Sequence, residues 1–195
     1  MTMSAPVSTT VRAGGALDVG TKGENSMKIL ALDAATKTGW CILKNGKIFE
    51  SGTQDFSKKR GESNGAVFFR FRNWLNSILG TGIDFVTYEM AHHRGGSATE
   101  ICVNLTGRIQ EACAERDMEF TAIHSATLKK WATGRGNADK ADMMKVAAEH
   151  LGRQPIDDNE ADAVLLALMT NEEYGDRVNH TDVPGVKVRR GVEEA

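Results

Sequence analysis

The sequence is short of cysteine, of long apolar runs and of net charge, and each shortage closes off a class of protein. Three cysteines, Cys41, Cys102 and Cys113, stand singly in 195 residues. An odd, isolated set has no zinc-ligand spacing and builds no disulfide framework, so a reducing, cytoplasmic setting is the expectation. Cys102 and Cys113 lie three helical turns apart and share a face with Leu105 and Ile109, which assigns them to a core rather than to chemistry. No apolar run approaches the roughly 20 residues that span a bilayer, so no membrane partner is expected. A formal net charge of −2 does not advertise a nucleic-acid partner either.

The distribution of charge says more than its sum. Residues 27–140 hold 16 basic and 12 acidic side chains, a net of +4, whereas residues 141–195 hold 6 and 12, a net of −6. A basic body beside an acidic end fits a solvated surface, or a polyanion-binding face next to carboxylates that need cations. With 41% hydrophobic residues the chain can bury one ordinary core. Residues 1–26, rich in Gly, Ser, Thr and Ala without periodicity, read as a disordered extension, and residues 175–195 as a poorly ordered tail.

Between them the pattern gives an order of elements. MKILALD is a short buried strand ending on Asp33, followed by a polar turn, AATKTG. WCILKNGKIFESG is a hairpin turned on Asn45-Gly46. A polar loop, SKKRGESNG, leads to a helix, AVFFRFRNWLNSIL, closed by Gly80. DFVTYEM is a fourth strand with Glu89 near its end. Thr99 is placed to cap a long helix running to about Arg116. MEFTAIHS is a fifth strand, and His124 at its end reads as structural. A short helix, a Gly-rich loop and a longer helix follow, and the last helix spans about Asn159 to Glu173. Three meandering strands followed by alternating helices and strands make an α/β domain with a mixed sheet flanked by helices.

The last helix opens on DDNEADAVLLALM, with more acid than a cap requires. Asp158 lies four residues before Asp162, roughly 40° round the axis, so the two can share a face. Asn159 flanks that face, and Asp157 points elsewhere. Capping by Asp158 or Asn159 accounts for part of the cluster. Asx-turn formation accounts for Asp33, and pairing with Arg94 accounts for Glu89. Asp162 is left over, because a carboxylate against a buried run is expensive unless paired or metal-bound. Oxygen donors from separate elements, with few histidines and no useful cysteine, favour Mg²⁺ or Mn²⁺, and such sets can hold two ions around a phosphodiester.

These segments resemble the RuvC-type Holliday-junction resolvases, in their phage-like form, within the RNase H-like superfamily. The resemblance covers most of residues 27–169 and rests on ILALDAATKTGW, FVTYEMA, KKWATGRGNADK and EADAVLLAL in that order. It implies an RNase H-like, RuvC-type mixed five-stranded sheet flanked by helices over residues 27–174. It also implies catalytic, metal-binding acids at Asp33, Glu89 and Asp162. The family's fourth ligand is an Asp or His three residues before the last Asp; here that position is Asn159, so Asp158 is the alternative ligand. Lys129 and Lys140 match two family lysines near the scissile phosphate and DNA backbone, with Lys140 offsetting charge in catalysis. Lys130 neighbours them. Between these lysines, GRGN offers N–H groups and Arg135 to a phosphate. The segment is no Walker loop, since the Gly-Lys-Ser/Thr ending is absent. The AHHRGGS loop corresponds to the family's junction-probing loop, with His92 or His93 stacking on a base and Arg94 holding phosphate.

The resemblance further implies four-way DNA as substrate, two Mg²⁺ (or Mn²⁺) ions per site, 5′-phosphate nicks, and a homodimer joined through the GGSATEICVNLTGR helix. Three rivals remain: a kinase-like phosphotransferase, which needs a second nucleotide-binding domain; a DNA-binding module whose site has degenerated at Asn159; and a related nuclease acting on other branches or hybrids.

Overall fold

The computed structural model describes residues 27–91 and 96–175. The expected disordered end segments therefore lie outside the described residues, Gly175 excepted, as do His92, His93 and Arg94. The elements are β1 (Lys28–Asp33), β2 (Lys37–Lys44), β3 (Lys47–Asp55), α1 (Asn64–Leu79), β4 (Phe85–Glu89), α2 (Gly96–Ala114), β5 (Glu119–Ile123), α3 (Ser125–Thr133), α4 (Lys140–Leu151) and α5 (Asp158–Tyr174). The five strands form one sheet in the order β3-β2-β1-β4-β5. The β1–β2 and β2–β3 pairs are antiparallel, and β1–β4 and β4–β5 are parallel. The mixed five-stranded sheet expected from sequence is the sheet observed.

Strand alternation decides what each face receives. Leu30, Leu32, Val86 and Tyr88 point to one side, where they pack on Val67, Phe71 and Leu75 of α1 and Leu105 and Ile109 of α2. Ile29, Ala31 and Phe85 point to the other, into a core made with Leu128 of α3, Met143 and Ala147 of α4, and α5. Helix α5 runs through that second layer. Ala161, Ala163, Val164, Leu165, Leu166 and Ala167 are all fully buried. A helix apolar all round belongs inside a core.

Local chemistry follows the sequence at most joints. Asn45 and Gly46 both take left-handed backbone, with φ of 54° and 71°, as a two-residue hairpin turn requires. Differences occur at element starts. Strand β2 begins at Lys37, so Thr38 and Gly39 belong to the strand and not to the preceding turn. Helix α2 is under way by Gly96, which puts Thr99 inside it instead of at its cap. His124 sits at the N-cap of α3 without a side-chain cap bond.

Candidate active site

The carboxylates meet at the end of the sheet where β1 and β4 stop. Asp33 continues the Ile29–Ala31 side of β1, and Glu89 the Phe85 side of β4, so strand parity turns both toward the α5 layer. The register row through Asp33 runs to Gly39 on β2 and Thr53 on β3. The first turn of α5 lies across this row. A Cβ on Gly39 would stand 1.8 Å from the Asn159 carbonyl oxygen, so only glycine permits the approach. Thr53 Oγ1 donates to Asp157 Oδ1 at 2.6 Å, which anchors the same turn to β3.

The end of α5 divides its acids between two tasks. Asp157, not Asp158 or Asn159, is the N-cap: its carboxylate accepts from the Glu160 N–H at 3.0 Å. Burial pushes Asp157 up, but hydrogen bonds from Thr53, the Glu160 N–H and Asn159 outweigh it and hold the acid below its usual range. Glu160, which the sequence reading left without a task, is fully buried. It accepts from Arg153 at 2.5 and 3.1 Å, Ser51 Oγ at 2.7 Å and the Ile156 N–H at 2.5 Å. Only its place beside an apolar run, seven residues after Arg153, could have marked it.

Asp158 and Asp162 take the other task. Asp33 lies deep among protein atoms with partial solvent contact. Burial, followed by the charges of Glu89, Asp162, Asp158 and Asp157, pushes its carboxyl well above the usual range. Asp162 is pushed up to about 7, first by burial and then by Glu89 and Asp158, against the opposing pull of Lys129 and Lys140. The structure therefore brings Asp33, Glu89, Asp158 and Asp162 within one another's field, with two lysines at the edge.

Lys140 is held by local design. Asp139 caps α4 through a capping box with Asp142, which makes Lys140 the first residue of the helix. Its ammonium pairs with the Asp158 carboxylate, and that bond raises the lysine above its usual value. Lys130 is exposed. Arg135 does not stand free for a phosphate; it pairs with Asp142 at 2.6 Å. The cysteines divide differently from the expectation: Cys41 and Cys113 are buried, with thiols pushed up to about 12 by burial. Cys102 is only partly buried, and joins Asp33, Ala34, Glu89, Met90 and Ser125 in lining a cleft of ≈ 380 Å³.

Among the described residues, no group of three or more His, Cys, Asp or Glu side chains forms a ready-made metal-binding set. The chemistry of the donors nevertheless fits a hard divalent cation. They are all carboxylate oxygens, and Asp33 and Asp162 are destabilised as anions by burial and by their neighbours' charge.

The sheet order and the helices on its two faces make an RNase H-like fold like that of RuvC. The solved structures that match bear this out. A RuvC structure from Thermus thermophilus aligns with a TM-score of 0.62 at 18% identity, over 76% of this chain and 95% of that one. T. thermophilus RuvC in complex with Holliday junction substrate aligns with the same score and identity, over 73% and 91%. No family model and no curated protein matches the sequence.

Proposed function

We propose that this chain is a divalent-cation-dependent endonuclease that resolves four-way DNA junctions by paired, symmetric nicks. One observation carries the reading: Asp33, Glu89, Asp158 and Asp162, from three separate elements, gather at one sheet end with Lys129 and Lys140 beside them. The fold supports it, and one solved neighbour is described with a Holliday junction substrate.

Asp33 and Glu89 are the residues that would hold one Mg²⁺ or Mn²⁺, and Asp33, Asp158 and Asp162 a second. Asp158 is preferred to Asn159 because it carries charge into the field of Asp33 and Asp162, which a neutral amide does not. Bound cations supply a more acidic water and an electrophile for the leaving oxygen. The protein's own part is positioning and charge: the acids fix the donors, and Lys140, released from Asp158, offsets charge on the phosphoryl group, leaving a 5′-phosphate. A homodimer through α2, where Val103 is exposed, would place two sites by a two-fold axis matching the junction.

A second reading, a junction-binding module without catalysis, is favoured by the engagement of Asp158 with Lys140 and by Asn159 at the family's ligand position. Incubation with a synthetic four-way junction and a linear duplex, in Mg²⁺ or EDTA, decides between them. Paired nicks in the junction alone, lost in EDTA and in Asp33→Asn, are the expected result. Junction binding without cleavage in Mg²⁺ or Mn²⁺ would sink the nuclease and leave the module.

A further inference from the structure

The loop between β3 and α1 carries SKKRGES, residues 57–63, and the carboxylate site makes no use of it. Its three consecutive cations, Lys58, Lys59 and Arg60, are exposed. Among the described residues none of the three makes an ion pair; Lys58 Nζ reaches only Asn64 Oδ1, at 3.4 Å.

The backbone beneath these cations is held in place. The Ser57 N–H donates to Asp55 Oδ1 at 2.7 Å, and the Lys59 N–H to Glu62 Oε2 at 2.8 Å. The Glu62 N–H returns to the Lys59 carbonyl at 3.1 Å, across Gly61 in left-handed backbone at φ +83°. Arg70 of α1 fastens the whole loop. Its guanidinium forks onto both Glu62 oxygens at 2.9 and 3.0 Å and reaches the Phe56 and Ser57 carbonyls at 3.1 and 3.2 Å. The same fork spends the loop's one acid. Side-chain bonds from Arg70, then the Lys59 N–H, hold Glu62 below the usual carboxylate range, so its charge is met chiefly by Arg70, with a smaller pull from Lys59. Helix α1 starts directly behind, with no acid in its first turn, and its dipole adds positive potential.

The loop's place in the fold names its partner. Asp55, at its root, pairs in register with Lys37, and the Phe56 N–H donates to the Thr36 carbonyl at 2.7 Å. Thr36 lies in the turn that leaves Asp33. The cations thus stand at the same end of the sheet as the carboxylates, two strands over. We propose that residues 57–63 are a pre-ordered phosphate-binding loop, which grips the backbone of a DNA arm leaving the carboxylate site. DNA as the occupant rests on the nuclease reading; the fixed cationic loop does not. Contacts of this kind carry no sequence information, and they show as salt dependence.

The test reads binding, not cleavage. A fluorescein-labelled four-way junction and a duplex of random sequence are titrated in EDTA, across a range of salt, with the full chain and with Lys58→Gln/Lys59→Gln/Arg60→Gln. The triple variant should bind both DNAs about tenfold more weakly, with a salt slope smaller by about 2 to 3. Arg70→Gln keeps the three cations and loosens their base, so it should lose affinity with the slope retained. Affinity and slope unchanged in the triple variant, with the wild type still cleaving junctions, overturns the loop and spares the nuclease. Loss of binding in the triple variant of a protein that never cleaves overturns the nuclease and spares the loop. A wild type that binds phosphatidylserine vesicles but neither DNA overturns both.

Discussion

Asp33 and Gly39 face each other in the β1–β2 register, and between them they fix both the chemistry and the geometry of the site. Gly39 was legible only as part of a polar turn; its task depends on Asn159, 120 positions away, whose carbonyl occupies the space of a side chain. Gly39→Ala meets backbone, which cannot yield as a flexible side-chain tip can. The cost expected is about 3 kcal/mol, at the upper end for overpacking, read as a lower urea midpoint at unchanged m-value. Asp33→Asn acts in the opposite sense on the metal-free protein. It removes one of several mutually repelling carboxylates, so in EDTA the variant should melt above the wild type, whereas Mg²⁺ should raise the melting point of the wild type alone. Equal Mg²⁺ stabilisation of both proteins would exclude Asp33 as a ligand.

The junction of α4 with α5 depends on an ion pair between a buried carboxylate, Glu160, and a half-exposed Arg153, which the sequence pattern did not mark. Burial pushes Glu160 up, but Arg153, the Ile156 N–H and Ser51 together hold it below the usual carboxylate range. A depressed folded-state value means that the unfolded chain binds the proton more readily. The contribution to stability is therefore full above the unfolded value, near pH 4.3, and is lost as pH falls through the folded one. Arg153→Ala leaves a fully buried carboxylate with two neutral donors. The loss expected is about 2 kcal/mol at pH 7, below the usual figure for a broken buried pair because Arg153 is half exposed. Denaturant midpoints from pH 7 down to pH 3 should show the gap between the two proteins closing. A constant gap would mean that Arg153 contributes packing alone. At this scale the elements themselves were readable: the Asn45-Gly46 hairpin, the strands ending in Asp33 and Glu89, and the helices follow from periodicity and turn chemistry. Their first residues were less so, because Asp157 captured the cap that its two neighbours were equally suited to supply.

Across the whole molecule, charges of both signs that are scattered along the sequence collect at one end of the sheet. Acids from β1, β4 and α5 meet at one sheet end, and Lys58, Lys59, Arg60, Lys129 and Lys140 stand around that end. Junction affinity should accordingly fall steeply with salt, by roughly 10³-fold or more between 50 and 200 mM if six or more phosphates are contacted. A flat salt response in the same titration would exclude phosphate contacts as the source of binding.

The sequence by itself determined which segments are strands and helices, because periods of 2 and 3.6 and the residues of caps and turns act over a few positions. It also marked Asp162 as out of place, since it stands directly before an apolar run with no local use for a charge, whereas Asp33 and Glu89 each had a local reading, as an Asx turn and as a partner of Arg94. Which acids from separate elements face one another was decided only by tertiary structure. Strand parity, the sheet register and the close approach at Gly39 bring Asp33 and Glu89 up to the Asp158–Asp162 face of α5, set Asp158 against Lys140, and bury Glu160 on Ser51. These are contacts between residues far apart in the chain, and neither period nor cap chemistry reaches that far.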